Sequence, residues 1–158
     1  DIMLKESIEI EETDNYMSLS NKLSKLGSNS ISAFLSSFEN ELFLEKQNDD
    51  EAIYAEKVTK LETRIDWKES ADLIFRRINA YNPVPGAWFK MNGKRIKIMR
   101  AEIYEENGKP GEVLNDDFKI ACGKNSIIPT ILKKEGKNET DINSFLRGIK
   151  IQSGIILD

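Results

Sequence analysis

The first part of the chain contains one long stretch of apolar side chains at helical spacing, preceded by a short alternating segment. The opening letters, DIMLKESIEI, alternate loosely between apolar and polar and predict a strand. The stretch that follows predicts a helix, with Thr13 or Asp14 as its N-cap and an interruption or a close packing contact at Gly27. Its apolar stripe, which we expect to face a core, consists of Met17, Leu19, Leu23, Leu26, Ile31, Phe34, Leu35 and Phe38.

A second helix is predicted by a sharper pattern that begins at Asp66. The letters DWKE place two acids three residues apart, as in a capping box, and favour Asp66 as the N-cap. The two prolines of YNPVPGAW fix their own φ and disfavour helix in the residues before them, so the helix must stop near Tyr81. The apolar stripe of this helix comprises Ala71, Ile74, Phe75 and Ile78, with Arg76 and Arg77 facing water.

Beyond Gly86 the pattern changes to short strands separated by turns. The letters GAWFKMNGKRIKIM predict a β-hairpin around Asn92 and Gly93, the strongest short turn signal in the chain. Further strands are predicted at GEVLN, FKIACG, SIIPTIL and IKIQSGIIL. The letters TDINSFLRG predict a short helix capped by Thr140 or Asp141 and stopped by Gly148. About five strands and one short helix fit a small antiparallel barrel.

The two-residue turn also predicts the register of the hairpin. The expected cross-strand pairs are Lys90–Arg95, Phe89–Ile96, Trp88–Lys97 and Ala87–Ile98, so the apolar pairs share one face and the cations share the other. The apolar phase slips after Ile98, which predicts a bulge near Met99 and returns Arg100 to the cationic side. Trp88 has two predicted environments, because the register points it outward whereas its place in the joint could pack it beneath the second helix.

Charge is distributed unevenly along the chain. Residues 1–60 contain 6 Lys and Arg against 13 Asp and Glu, whereas residues 61–158 contain 17 against 14. The second part therefore carries a net positive charge, which favours an anionic partner. There is no histidine, the commonest general base and metal ligand, and no apolar run of membrane-spanning length. Cys122 is the only cysteine; we predict a buried small hydrophobe rather than a reactive thiol, in a chain suited to a reducing cytosol.

The cationic side of the hairpin has two interpretations from the residues alone. Lys90 and Arg95 repel each other across the strands at a cost of some tenths of a kcal/mol, up to ~1 kcal/mol, which favours an anion-binding surface. The alternative is the ordinary solvated face of a barrel. A second basic loop is predicted at Lys133, Lys134 and Lys137.

Five motifs, in the same order along the chain, carry a more specific resemblance. They are YAEKVTKLETRIDW, RRINAYNPVPGAW, KPGEV, IACGKNSI and SFLRGIKIQSG. Together they closely resemble the C-terminal half of the methionyl-tRNA formyltransferase family, over essentially the whole chain. The resemblance implies an α+β fragment: the last strand and helix of a Rossmann-like α/β formyltransferase domain, then a small antiparallel OB-like β-barrel with a leading helix.

The resemblance also implies how the chain is divided. Residues 1–46 would form the C-terminal end of the catalytic domain, residues 47–66 an acidic, amide-rich linker, and residues 67–158 the OB-like tRNA-binding domain. Because the sequence begins at Asp1 rather than at methionine, we expect it to be the tail of a longer protein. That tail would be inactive by itself.

The implied reaction transfers a formyl group from 10-formyltetrahydrofolate to the amino group of methionyl initiator tRNA, in translation initiation. The family's chemistry uses an Asn, a His and an Asp, of which the first two would lie upstream of this chain. The Asp closes a Thr-Gly-Asp motif before a strand like IMLK, which is the place of Asp1, although the Thr and Gly are absent here. Asp1 would then orient the histidine. The folate would be held mainly by the missing domain, without a metal.

The implied role of the barrel is to bind tRNA through its phosphates. The candidate tRNA-binding residues are Lys90, Arg95, Lys97, Arg100, Lys133 and Lys134. The expected protein is cytoplasmic, of bacterial type and monomeric, with no DNA or membrane partner. The alternatives are a related formyltransferase acting on a nucleotide-sugar or on folate, a non-catalytic RNA-binding barrel, and a barrel that only supports the catalytic domain.

Overall fold

The structure is a computed structural model that describes residues 1–36, 44–149 and 151–158. These residues form two compact units, Asp1–Lys57 and Val58–Asp158. No helix in the described ranges combines the length and the apolar character needed to span a bilayer.

One helix dominates the first unit. This helix, α1, spans Tyr16–Ser36 and runs through Gly27 without a break, and a Cβ on Gly27 would meet no described atom within 4 Å. The predicted interruption is therefore wrong, and no described residue packs closely against Gly27. The N-cap is Asn15 rather than Thr13 or Asp14, because the Asn15 Oδ1 accepts a hydrogen bond of 2.9 Å from the Ser18 N–H.

The strand predicted for this unit is absent, and the described residues do not bury the predicted apolar stripe. The letters DIMLKESIEI form no strand; their single bridge pairs Ile2 with Glu45, and a 3₁₀ turn follows at Asp49–Glu51. The apolar stripe of α1 is not buried, since Leu23, Ile31 and Leu35 are 49, 62 and 64% exposed. No described element of the unit buries this stripe, and Phe38 lies outside the described residues.

The second unit begins with helix α2, Ala71–Tyr81. Its N-cap is Ser70, whose Oγ accepts from the Leu73 N–H at 3.3 Å, so the prediction of Asp66 as the cap is wrong. The Asp66 carboxylate instead accepts from the Lys68 N–H at 3.0 Å, in a turn before the helix. The apolar stripe is confirmed by the burial of Ala71, Ile74 and Ile78, and the helix ends at Tyr81, as the prolines require.

A curled antiparallel sheet of five strands forms the rest of this unit. The strands are β1 Ala87–Met91, β2 Lys94–Tyr104, β3 Ile120–Ala121, β4 Ser126–Lys134 and β5 Glu139–Asp141. Their order is β1-β2-β4-β3, and β5 also pairs with β4. The predicted hairpin register is confirmed, and the register of β2 against β4 shifts on both sides of Arg100, where the slip in apolar phase predicts a bulge.

Irregular segments join the two edges of the sheet. The segments GEVLN and IKIQSGIIL, which are predicted to be strands, form only the isolated bridges Val113–Ile120 and Glu112–Ile156. Lys150, in the second of these segments, lies outside the described residues. The Leu157 N–H donates to the Gly111 carbonyl at 2.8 Å, and the Lys90 N–H donates to the Asp158 carbonyl at 3.1 Å. Backbone hydrogen bonds therefore connect the β3 edge to the β1 edge through residues 111–113 and 155–158.

Helix α3, Ile142–Arg147, packs beside β4 and β5, with Asp141 as its N-cap and Gly148 as its C-cap, as predicted. The core contains a series of aromatic contacts with centroid separations of 5.6 to 6.2 Å, through Trp67, Phe89, Phe118 and Phe145.

Cys122 is buried, and burial raises the pKa of its thiol to about 12, as expected for a small hydrophobe rather than a reactive group.

Candidate nucleic-acid interface

The joint between α2 and β1 fixes where the cationic strands begin. The peptide bonds before Pro83 and Pro85 are both cis. The buried Asn82 donates from Nδ2 to the Met99 carbonyl at 2.7 Å, beside the bulge of β2. The chain then turns at Gly86, which has a φ of +84° and donates its N–H to the Tyr81 carbonyl. The joint is thereby tied to β2.

The outward side of β1, β2 and β4 carries five cations, which we call the basic face: Lys90, Arg95, Lys97, Arg100 and Lys133. Lys90 lies opposite Arg95, and Lys97 lies opposite Lys133. The other side of these strands points into the core, where Phe89, Ile98 and Leu132 are fully buried. The alternation of the strands therefore separates an apolar core side from a cationic outer side.

No ion pair of the described residues includes a member of the basic face. The exposed Glu139 lies opposite Lys133 in the register of β4 and β5, but the two side chains form no ion pair. Like charges that stand opposite each other without partners raise the local positive potential. An anion with several oxygens, such as a phosphate, would reduce this repulsion.

Trp88 lies on the outward side but is only 6% exposed, and it is not part of the apolar core cluster. Residues 60–65 run beside it: the Trp88 N–H donates to the Thr63 carbonyl at 2.9 Å, and the indole N–H donates to the Lys60 carbonyl at 3.0 Å. The outward direction given by the register is confirmed. The ring is nevertheless buried, because a segment predicted to be linker covers it.

Two arginines lie against this ring. The guanidinium carbon of Arg95 is 4.2 Å from a Trp88 ring centroid, and that of Arg64 is 5.8 Å away. Arg64 also pairs with the Asp158 carboxylate at 2.9 Å. No local sequence pattern indicates a role for Arg64, because its contacts are with the distant residues 88 and 158.

Lys134 does not join the basic face. It pairs with Ile96 in the register of β2 and β4, on the core side, and its Nζ lies 4.7 Å from the centre of the Phe145 ring. Lys133 and Lys134 are the last residues of β4, so the predicted basic loop starts only after them. The structure thus places the two neighbouring lysines on opposite sides of the sheet.

Asp1 belongs to the first unit and is exposed. It borders a cleft of about 530 Å³ that Leu23, Leu26 and Phe34 of α1 also line. The chain contains no histidine, so the partner that Asp1 is predicted to orient is not in this sequence. Within the described ranges, no three His, Cys, Asp or Glu side chains are grouped so that they could hold a metal ion.

Known proteins match both the sequence and the fold. Methionyl-tRNA formyltransferases from Bradyrhizobium diazoefficiens and Rickettsia prowazekii are 36% and 40% identical to this chain. Each alignment is 159 residues long, and the two cover 98% and 99% of the chain. The same alignments cover 51% and 52% of those relatives, so the chain spans about half the length of the curated relatives it matches.

Among solved structures, a variant of HypX from Aquifex aeolicus matches with a TM-score of 0.65 and 21% identity, covering 88% of this chain and 27% of HypX. HypX in complex with tetrahydrofolic acid matches with a TM-score of 0.57 and 21% identity, covering 85% of this chain and 26% of HypX. These likenesses support the fold.

Residues 57–150 match the family described as "Formyl transferase, C-terminal domain". The chain therefore belongs to the formyl transferase family and contains its C-terminal domain.

Proposed function

We propose that the chain is part of a methionyl-tRNA formyltransferase, which transfers a formyl group from 10-formyltetrahydrofolate to the amino group of methionyl initiator tRNA. The proposal is supported by relatives that carry this name and align with nearly the whole chain at 36 to 40% identity. A folate donor is supported by the HypX structure that was solved with tetrahydrofolic acid. The protein would act in translation initiation in a bacterial cytoplasm, as a monomer.

Within that protein, residues 1–46 would complete the Rossmann-like catalytic domain, and Asp1 would orient its histidine. Residues 47–66 would form the linker, and residues 67–158 an OB-like tRNA-binding domain. The closed OB-like barrel is supported by the hydrogen bonds that connect the β3 edge to the β1 edge. The boundary between the compact units, after Lys57, falls inside the proposed linker.

The observation that carries the tRNA-binding assignment is the basic face, which has no ion-pair partner among the described residues. Contacts from such cations to phosphates fix the position of an RNA without reading its bases. A-form RNA is recognised largely by its shape and backbone, so a cationic strand surface suits this task. The domain would hold the tRNA while formyl transfer takes place on the catalytic domain.

The choice of acceptor by the full-length protein tests this function. With 10-formyltetrahydrofolate as the donor, we expect formylation of methionyl initiator tRNA. We expect no formylation of an amino-sugar nucleotide. We also expect that the protein releases no formate when the folate donor is supplied alone. Formylation of the sugar nucleotide without activity on the tRNA would contradict the proposal and support a related formyltransferase. The 158-residue chain alone is expected to be inactive, because it has no histidine.

A further inference from the structure

Arg95 differs from the other cations of the basic face because its side chain lies against an aromatic ring, that of Trp88. It lies diagonally across the β1–β2 hairpin from Trp88, whose direct partner is Lys97. Diagonal neighbours on one face of a sheet are within reach when one is aromatic and the other is long. Accordingly, the Arg95 guanidinium carbon lies 4.2 Å from a Trp88 ring centroid, a distance typical of stacking and cation–π contact.

The indole that supports Arg95 is itself firmly held. The Trp88 backbone is hydrogen-bonded on both sides to the neighbouring segment, since its N–H donates to Thr63 and its carbonyl accepts from Ile65 at 2.8 Å. The indole N–H donates to the Lys60 carbonyl. With only 6% of its surface exposed, the ring cannot serve as a stacking platform for a nucleobase. Its available role is to fix the side chains that lie on it.

The donors of Arg95 remain unused. Within the described part of the chain, its guanidinium donates no hydrogen bond and forms no ion pair, although it is partly exposed. Arg64, which lies near the same ring, differs in this respect because its Nη2 donates to the Asp158 carboxylate at 2.9 Å. Of the two arginines, Arg95 therefore lies closer to the ring and is the one whose guanidinium has no polar partner among the described residues.

We propose that Trp88 is a positioning residue that holds the Arg95 guanidinium ready for bidentate binding of an RNA phosphate. This inference rests on the proposed tRNA-binding function and adds a mechanism for one contact. A planar guanidinium matches two phosphate oxygens at once, and a side chain that is already ordered loses less conformational freedom on binding. A lysine at this position would keep the charge but could not stack or bind in this way.

The test measures the affinity of the full-length protein for initiator tRNA at several salt concentrations. We expect Arg95→Lys to bind about three- to tenfold more weakly than the wild type, although the charge is unchanged. Trp88→Leu should weaken binding to a similar extent, and Trp88→Phe should restore most of the affinity because a phenyl ring still supports the guanidinium. The double variant Trp88→Leu, Arg95→Lys should be no weaker than either single variant, because Trp88 acts only through Arg95.

Arg64→Gln is the matched control, and we expect less than a twofold change because its charge is already paired. Arg95→Lys with wild-type affinity, or losses that add in the double variant, would overturn the inference. Thermal unfolding of each variant identifies a misfolded protein, and Arg95→Lys decides the matter if Trp88→Leu does not fold. A wild-type protein that does not bind tRNA at all would instead refute the proposed function.

Discussion

At Gly86 a single residue controls both the backbone turn and the position of a cation. Its φ is +84°, and a Cβ there would lie 2.8 Å from the Cδ of Lys97. We expect Gly86→Ala to lower the free energy of unfolding by at least about 1 to 2 kcal/mol, as measured by urea denaturation, since the left-handed backbone alone costs that much. It should also displace Lys97 within the basic face.

Gly93→Ala provides the control for this prediction. Gly93 has a similar φ of +72°, but a Cβ on it would meet nothing within 4 Å. The free energy of unfolding of Gly93→Ala should therefore fall only by the cost of the left-handed backbone conformation. If both variants lose the same stability, the clash of the added Cβ at position 86 with Lys97 has no measurable cost.

Asp14 should show the clearest pH dependence in the first unit. Its carboxylate accepts hydrogen bonds from Lys22 Nζ, the Glu11 N–H and the Ser18 hydroxyl. These bonds, led by that from Lys22, lower the pKa of Asp14 from 3.8 to about 2. Because the pKa is lower in the folded state, its contribution to stability is complete above about pH 4 and is lost as the pH falls toward 2.

An NMR titration of the Asp14 carboxyl group can measure this shift. Lys22→Met should raise the pKa of Asp14 toward its ordinary value, because it removes the largest cause of the shift. Lys25→Met, which changes the next lysine of α1, should leave it unaltered. An ordinary Asp14 pKa in the wild-type protein would show that the bonds to Lys22 and Ser18 do not persist in solution.

At the scale of elements, the hydrogen bond from Asn82 to Met99 connects the α2–β1 joint to the bulge of β2. Asn82→Ala would leave a buried carbonyl without its partner, so we expect a loss of about 1 to 3 kcal/mol in the free energy of unfolding. Asn143→Ala, on the exposed side of α3, is the control and should change stability by less than about 0.5 kcal/mol. Equal stability of the two variants would mean that the joint does not depend on this bond.

The elements that the sequence predicted well are those with local signals. The Asn92–Gly93 turn sets the hairpin register, the prolines end α2, and Asp141 with Gly148 bounds α3. The predicted start of α2 is wrong because DWKE resembles a capping box, whereas Asp66 caps only the turn before the helix. A local pattern cannot decide between two adjacent turns when tertiary contacts select one of them.

Pairings between distant segments could not be predicted from local pattern. The bridges of Val113 and Ile156 and the covering of Trp88 by residues 60–65 depend on partners far away in the sequence. The outer side of the β1–β2 hairpin was predicted correctly, but the sides of Lys133 and Lys134 depend on how β4 pairs with β2. That register has no tight turn to fix it, so the sequence pattern groups Lys134 with Lys133, whereas the structure places Lys134 on the core side.

At the scale of the whole molecule, the first unit differs from the second in how much it buries. No residue of α1 is buried, whereas α2 and the sheet enclose an aromatic core. In the proposed function, the rest of the catalytic domain would cover the stripe of α1. The basic face would then be the part of this chain that contacts tRNA.

The dependence of tRNA binding on salt shows whether the basic face contacts the phosphates of the tRNA. Each phosphate neutralised by a cation contributes about −0.7 to −0.9 to the slope of log affinity against log salt. We compare the full-length protein with a variant in which Lys90, Lys97 and Lys133 are changed to Gln. The control variant carries the same change at exposed lysines outside the basic face: Lys68, Lys109 and Lys124. We predict a slope shallower by about 2 to 3 for the first variant and an unchanged slope for the control; equal slopes for all three proteins would contradict the account.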